Sequence, residues 1–253
     1  MVGFVYSYAM IAGFCFFLVF LAAAVTCAQA QTPSAPATAA PTQVVPPQPG
    51  MLPNNVPADP AGPQLKQAYE LITKSKDYDG ALTIVDEAVK NNPKSFAALT
   101  LRGMIYSQKK QWSSAESDFN SALVLDPKNI VVKFNLGEIK FLQKDYATAR
   151  TRFEALAADP TMGDFASYKV FLCDLYGGNE AQAKKTLDGW DEETGPSFFW
   201  GNAALALFHK DTESARSWIN SATTIFPPAK NQYYAQSLID LGYLPLPPPP
   251  KAT

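Results

Sequence analysis

"SAESDFNSALVLDP", residues 114–127, reads as a short amphipathic helix that runs into a proline. One fixed step upstream, residues 80–93 spell "GALTIVDEAVKNNP". Ala81 and Ala115, Val85 and Phe119, Ala88 and Ala122, and Pro93 and Pro127 are each separated by 34 residues, as are Tyr78 and Trp112. The same step taken downstream from Gly103, Trp112, Ala115 and Phe119 lands on Gly137, Tyr146, Ala149 and Phe153. Residue classes that recur at a fixed period of this length mark a repeat architecture, each unit being one supersecondary element.

Across residues 64–241 the apolar positions recur at three and four, and strand-like alternation is absent. Breakers punctuate the pattern at Ser75–Asp77, Asn91–Pro93, Lys109–Gln111, Asp126–Pro127, Lys144–Asp145, Asp159–Pro160, Gly177–Gly178, Gly195–Pro196, Lys210–Asp211 and Pro227–Pro228. The reading is a ladder of helical hairpins. Two antiparallel helices approach closely only where side chains are small. That requirement fits Gly103 and Gly137 in first helices and Ala81, Ala115, Ala149, Ala183 and Ala215 in second helices. Tyr106, Trp112, Phe119, Tyr146 and Phe153 then fill the space between hairpins. A terminal proline stops the second helix because it lacks an amide donor and restricts the residue before it. One hairpin cannot cover its own apolar face, so stacking makes the core.

These residues resemble the tetratricopeptide repeat family, whose pattern is a Trp-x-x-Leu-Gly-x-x-Tyr first helix followed by Ala, Phe and Pro. The best copy is 96–127, with Leu99 and Arg102 in the Trp and Leu positions, then Gly103, Tyr106, Ala115, Phe119, Ala122 and Pro127. The copy at 130–160 keeps Leu136, Gly137, Tyr146, Ala149 and Phe153 but puts Lys133 and Lys140 in apolar positions. The first copy, 62–93, keeps Tyr78, Ala81, Ala88 and Pro93 and has Tyr69 where the small residue belongs. The copy at 164–190 retains Gly178, Ala183, Leu187 and Trp190, and that at 196–227 retains Ala203, Ala215, Ile219, Ala222 and Pro227. The resemblance implies an all-α, right-handed superhelical solenoid of about five antiparallel hairpins. "AKNQYYAQSLIDLGYL" after Pro228 is expected to be a final helix covering the open end of the stack.

The chain has 253 residues, 47% of them hydrophobic and 17% charged, and a formal net charge of −2. The ends stand apart from the repeats. Residues 2–25 carry no charge, and Ala28-Gln29-Ala30 has the small-x-small form of a signal-peptidase site. Three readings stay open: a signal peptide cleaved after Ala30, an uncleaved N-terminal membrane anchor, or a lipoprotein processed at Cys27. Residues 31–63 are a Pro/Ala-rich linker, and 242–253 form a Pro-rich tail. Cleavage removes Cys15 and Cys27 and leaves Cys173 in "YKVFLCDLY" as a lone thiol. That cysteine reads as a small buried apolar residue.

No basic cluster offers a phosphate-binding surface, so nucleic acid is not an expected partner. His209 is the only histidine and falls at a predicted turn, without the nucleophile context of a triad. One histidine and one mature cysteine make no nitrogen–sulfur metal site. Asp188–Glu193 lacks the alternating oxygen ligands of a calcium loop, and Gly177–Gly178 lacks a phosphate-loop continuation. No catalytic residues, cofactor or metal are expected.

The family resemblance implies that first helices line a concave groove for a partner peptide or helix. It assigns the groove positions Lys66, Glu70, Met104, Phe134, Glu138, Phe141, Tyr168 and Trp200. With Glu70, Leu101, Val131 and Asn135 in the other positions of a terminal-carboxylate clamp, that mode is not expected. Phe134, Phe141, Tyr168 and Trp200 either anchor a partner or, after a register shift of one residue, form inter-helix core. The expected role is a protein-interaction scaffold, exported to the periplasm or cell envelope of a bacterium. Membrane contact runs through the N-terminal segment if that is retained. The competing readings are a carboxylate-dependent envelope hydrolase or enzyme accessory using Glu138, and a self-associating scaffold.

Overall fold

The computed structural model describes residues 61–245, Thr194 excepted. The signal, anchor and lipoprotein readings, and most of the linker and tail, lie outside the described residues. Eleven α-helices follow in order. They are α1 Gly62–Glu70, prolonged by a π turn Leu71–Ser75, then α2 Tyr78–Asn91, α3 Phe96–Gln108, α4 Trp112–Leu125, α5 Ile130–Leu142 and α6 Tyr146–Glu154. The rest are α7 Gly163–Tyr176, α8 Glu180–Asp188, α9 Pro196–Phe208, α10 Thr212–Ile225 and α11 Pro228–Asp240. The first ten form five antiparallel hairpins, each stacked on the next.

Within each hairpin the turn is built the same way. The first helix ends on a residue in the left-handed region: Lys76, Lys110, Lys144, Gly178 and Lys210. The next residue starts the second helix. Asp77, Asp145, Asn179 and Asp211 each accept a hydrogen bond from an amide in that helix's first turn, which satisfies one of its orphan donors. Gln111 stands in the same place before α4 but makes no side-chain cap.

The hairpin spacing is set by contact. A Cβ added to Gly103 would lie 2.8 Å from Phe119 Cε1, and one added to Gly137 would lie 2.7 Å from Phe153 Cε1. Both rings are fully buried. Counting back from the second-helix cap, the fourth hairpin has Phe171 in the small-residue position and Leu187 in the ring position. The fourth hairpin therefore lacks the glycine–ring contact, and Leu187 packs instead against Gly201 of α9, where an added Cβ would lie 2.9 Å from its Cδ1.

The first hairpin departs from the expected register. Ala68, not Tyr69, is the fully buried small residue. The π turn that follows absorbs one extra residue, so the fixed step counted back from Gly103 points one position too far along.

Charges in apolar positions are explained by partners on neighbouring helices. Arg102 clamps Asp118 of α4 with two bonds of 2.7 Å and reaches Asp86 of α2 at 3.0 Å, and these hydrogen bonds raise its already high pKa. Lys140 pairs with Glu116 of α4 at 2.6 Å. Two apolar clusters share α5. Val132, Leu136 and Ile139 face the N-terminal cluster, and Phe134 and Phe141 face the C-terminal one. Cys173 is buried in the latter, and burial pushes its thiol up to about 12, far from reactive.

Gly137→Ala is expected to destabilise the fold by about 1–3 kcal/mol through overpacking against Phe153. Urea unfolding should show a lower midpoint at unchanged slope, with part of the loss recovered in Gly137→Ala/Phe153→Leu.

Candidate functional site

The first helices α1, α3, α5, α7 and α9 pack side by side and carry the residues expected to meet a partner. Lys66 is exposed, and Glu70 is half-buried and pairs with Lys74 at 3.1 Å. The other positions differ from expectation. Met104, Phe134, Phe141, Tyr168 and Trp200 are all buried and none lines an open groove. Met104 belongs to the N-terminal apolar cluster. Phe134 packs against the rings of Phe153 and Phe165, with centroids 5.0 and 5.2 Å away. Tyr168 and Trp200 meet Tyr234 of α11, at 4.9 and 6.4 Å.

For Tyr168 and Trp200 the reason is the placement of α11, expected as a cover for the open end. It packs on α9 and α10 of the last hairpin and also reaches α7 of the hairpin before. Its inward stripe is Asn231, Tyr234, Ser237 and Leu238, the spacing of one helical face. Phe226 and Pro227 are extended, which turns the chain sharply out of α10, and Pro228 occupies the first turn of α11, where its missing amide costs nothing.

Three polar anchors fix the helix. Asn231 accepts from Trp200 Nε1 at 2.9 Å and donates to the carbonyls of Ala222 and Phe226 at 3.1 and 2.8 Å. Tyr234 donates its hydroxyl to Asp164, whose other oxygen accepts from Ser197 at 2.5 Å. Burial, reinforced by the Asp164 charge, keeps that phenol far above its ordinary pKa and therefore a donor. Lys169 donates to Ser237 Oγ at 3.3 Å.

Lys169 is the centre of the site. It is 0% exposed, forms an ion pair of 2.9 Å with Glu138 of α5, and stands 3.5 Å from the centroid of the Phe141 ring. A buried ammonium needs such compensation, here one carboxylate, one hydroxyl and an aromatic face. Glu138 is thus already committed to a cation. At the far end of α11, burial raises the Asp240 carboxyl to about 7, with the Gln236 hydrogen bond and Lys169 opposing and Glu138 adding to the rise.

Lys169, Asp164, Asn231 and Ser237 escaped the sequence reading. The signals were a lysine inside the apolar run "YKVFLC" and the stripe Asn231, Tyr234 and Leu238 at helical spacing. Among the described residues no group of three His, Cys, Asp or Glu is placed to hold a metal ion, and no helix is long and apolar enough to cross a membrane.

Residues 65–130 match the tetratricopeptide repeat family. That match spans the first two hairpins. A curated relative, sperm-associated antigen 1 of Rattus norvegicus, is 31% identical over 97 residues, which is 38% of this chain and 10% of that protein. Among solved structures, PilW, described as a widely conserved type IV pilus biogenesis factor, superposes with a TM-score of 0.52 at 20% identity, covering 72% of this chain and 86% of PilW. PilF of Pseudomonas aeruginosa gives 0.51 at 16% identity, covering 72% and 88%. These likenesses establish the tetratricopeptide stack as the fold of the described residues.

Two outcomes follow for the Lys169 site. Lys169→Met leaves Glu138 buried without a cation and is expected to cost about 3–5 kcal/mol, whereas Lys169→Met/Glu138→Leu should return close to wild type. Paired urea titrations check both. The Asp240 carboxyl rises from an ordinary 3.8 to about 7, so the folded state holds the proton longer than the unfolded one. Stability should therefore fall as pH rises from about 4 to about 7, and Asp240→Asn should flatten that slope. The charged groups facing it, Glu138 and Lys169, are already paired. Asp145 and Asp211 act in the opposite direction and below this window, since hydrogen bonds from Thr148 and Ser214 hold them under 3.8.

Proposed function

We propose that the protein is a non-catalytic scaffold of a bacterial cell envelope that binds a helix or peptide of another protein along the face of its first helices. Tetratricopeptide stacks serve as protein-interaction scaffolds, and the observation that carries the reading here is α11. A helix already sits on this face, anchored by Trp200, Asp164 and Lys169. The surface is built to seat a helix by side-chain contacts alone.

The envelope setting is supported by the charge-free segment at residues 2–25 and by the likeness in fold to PilW, itself described as a type IV pilus biogenesis factor. A hydrolase built on Glu138 is disfavoured because that carboxylate is paired with Lys169 beneath α11. The tail and linker readings enter the proposal as spacers that hold the repeats away from the membrane or from an anchored terminus.

Crosslinking of the tagged protein in its native envelope, followed by mass spectrometry, tests the proposal. Lys66 and Glu70 are the expected contacts that stay accessible outside α11, so the control is the charge reversal Lys66→Glu/Glu70→Lys. A small recurrent set of proteins with wild type, reduced at least about tenfold by the reversal at unchanged circular dichroism, is the expected result. Recovery of nothing above background, or of the same set at the same level, would sink it.

A further inference from the structure

The side of α3 turned away from the second helices is buried, although the helices that pack on α3 lie beside and behind it. Thr100 and Met104, one helical turn apart on that side, and Leu101 next to them are 3, 5 and 4% exposed. In the layer of first helices α3 is flanked by α1 and α5, and α2 and α4 lie behind it. Helix α11 seats further along, on α7, α9 and α10. The burial of these side chains calls for a further cover.

Thr100 defines the chemistry of that cover. Its hydroxyl is buried with no hydrogen-bond partner among the described residues. Buried hydroxyls are normally paired, so the cover supplies an acceptor. A helix lying there would have its carbonyls engaged in its own ladder, whereas an extended chain holds them free. Ala97, Thr100, Leu101 and Met104 carry no charge, so the complementary surface is neutral and largely apolar. Tyr69 of α1 and Tyr233 of α11 are both half-buried, and the Tyr233 phenol, raised first by burial, is raised further by that of Tyr69. Aromatic side chains gathered in this way suit a proline-containing segment.

The Pro/Ala-rich linker contains such a segment. Its large apolar side chains are gathered at Val44, Val45, Met51, Leu52 and Val56, whereas residues 31–43 hold none, and no charge falls between residues 31 and 58. A spacer has no need of that cluster. Pro46, Pro47, Pro49 and Pro53 oppose a helix and favour an extended backbone. The reach is sufficient. The segment joins the described chain at Ala61, the residue before α1. Residues 56–61 span about 15 Å when extended, more than the roughly 8–10 Å between the axes of packed helices such as α1 and α3.

We propose that residues 44–56 lie in cis on this side of α3 as an extended segment, a backbone carbonyl accepting from Thr100 Oγ1 and the aliphatic side chains covering Leu101 and Met104. Residues 31–43 keep the role of spacer. The inference goes beyond the scaffold reading: with α11 over the C-terminal first helices and this segment over α3, Lys66 and Glu70 are the accessible contacts left for a partner.

Thiol labelling of the full chain carrying Met104→Cys tests the occupancy, with N-ethylmaleimide as probe and mass spectrometry of the peptide that contains position 104 as readout. Labelling should be slow, and at least about tenfold faster when the chain also carries Val45→Asp/Leu52→Asp at unchanged circular dichroism. Equal rates in the two chains overturn the proposal, because the face is then either open or covered by something else. A benzophenone amino acid placed at Ala97 gives a check without disturbing the segment. Photo-crosslinks should join it to residues 44–56 of the same chain, and crosslinks to the tail or to another protein would overturn the proposal. In a mixture of isotope-labelled and unlabelled chains, crosslinks between the two kinds would assign the occupant to a second copy and overturn it as well. If these readouts fail while envelope partners are still lost on reversing Lys66 and Glu70, the in-cis segment falls and the scaffold reading stands.

Discussion

The contact between a phenylalanine ring and a glycine backbone sets the geometry on which the rest depends. Phe119 lies over Gly103 and Phe153 over Gly137, each at a distance that leaves no room for a methyl group. Close approach inside a hairpin leaves the outer faces of its two helices apolar and uncovered, so the next hairpin must stack on it. The left-handed turn residues of the first four hairpins repeat at that same step of 34, so local conformation and packing agree. In the fourth hairpin, where Phe171 stands in the small-residue position, Leu187 packs against Gly201 of the next hairpin and the stack continues.

Polar residues inside the stack fall into two groups with different consequences. Arg102 with Asp86 and Asp118, and Lys140 with Glu116, join a helix to its immediate neighbours and act as local clamps. Lys169, Glu138, Asp164 and Asn231 join helices from three hairpins and from α11. The second group seats the terminal helix on the last two hairpins. Buried polar groups of this sort specify one arrangement by the penalty for any other, more than by net stability.

The hairpin ladder was legible because its signals are local. Periodicity, breaker positions and the recurrence of Gly103 and Phe119 at Gly137 and Phe153 all survive without knowledge of neighbours. The site was only half legible. Lys66 is exposed and Glu70 half-buried, whereas Met104, Phe134, Phe141, Tyr168 and Trp200, expected along a groove, are buried. Tyr168 and Trp200 are covered by Tyr234 of α11, which no local sequence pattern places there.

By itself the sequence determined the all-α class, the five hairpins, the small-against-large pairing within them and the burial of Cys173. Each follows from the order of residues over one or two helical turns, where side-chain size and backbone preference act directly. Only the tertiary structure decided the register slip at Ala68, the partners of Arg102 and Lys169, and the seat of α11. Those depend on a single added residue in a π turn or on long-range pairing of buried polar groups. Their energy is realised only when distant helices meet.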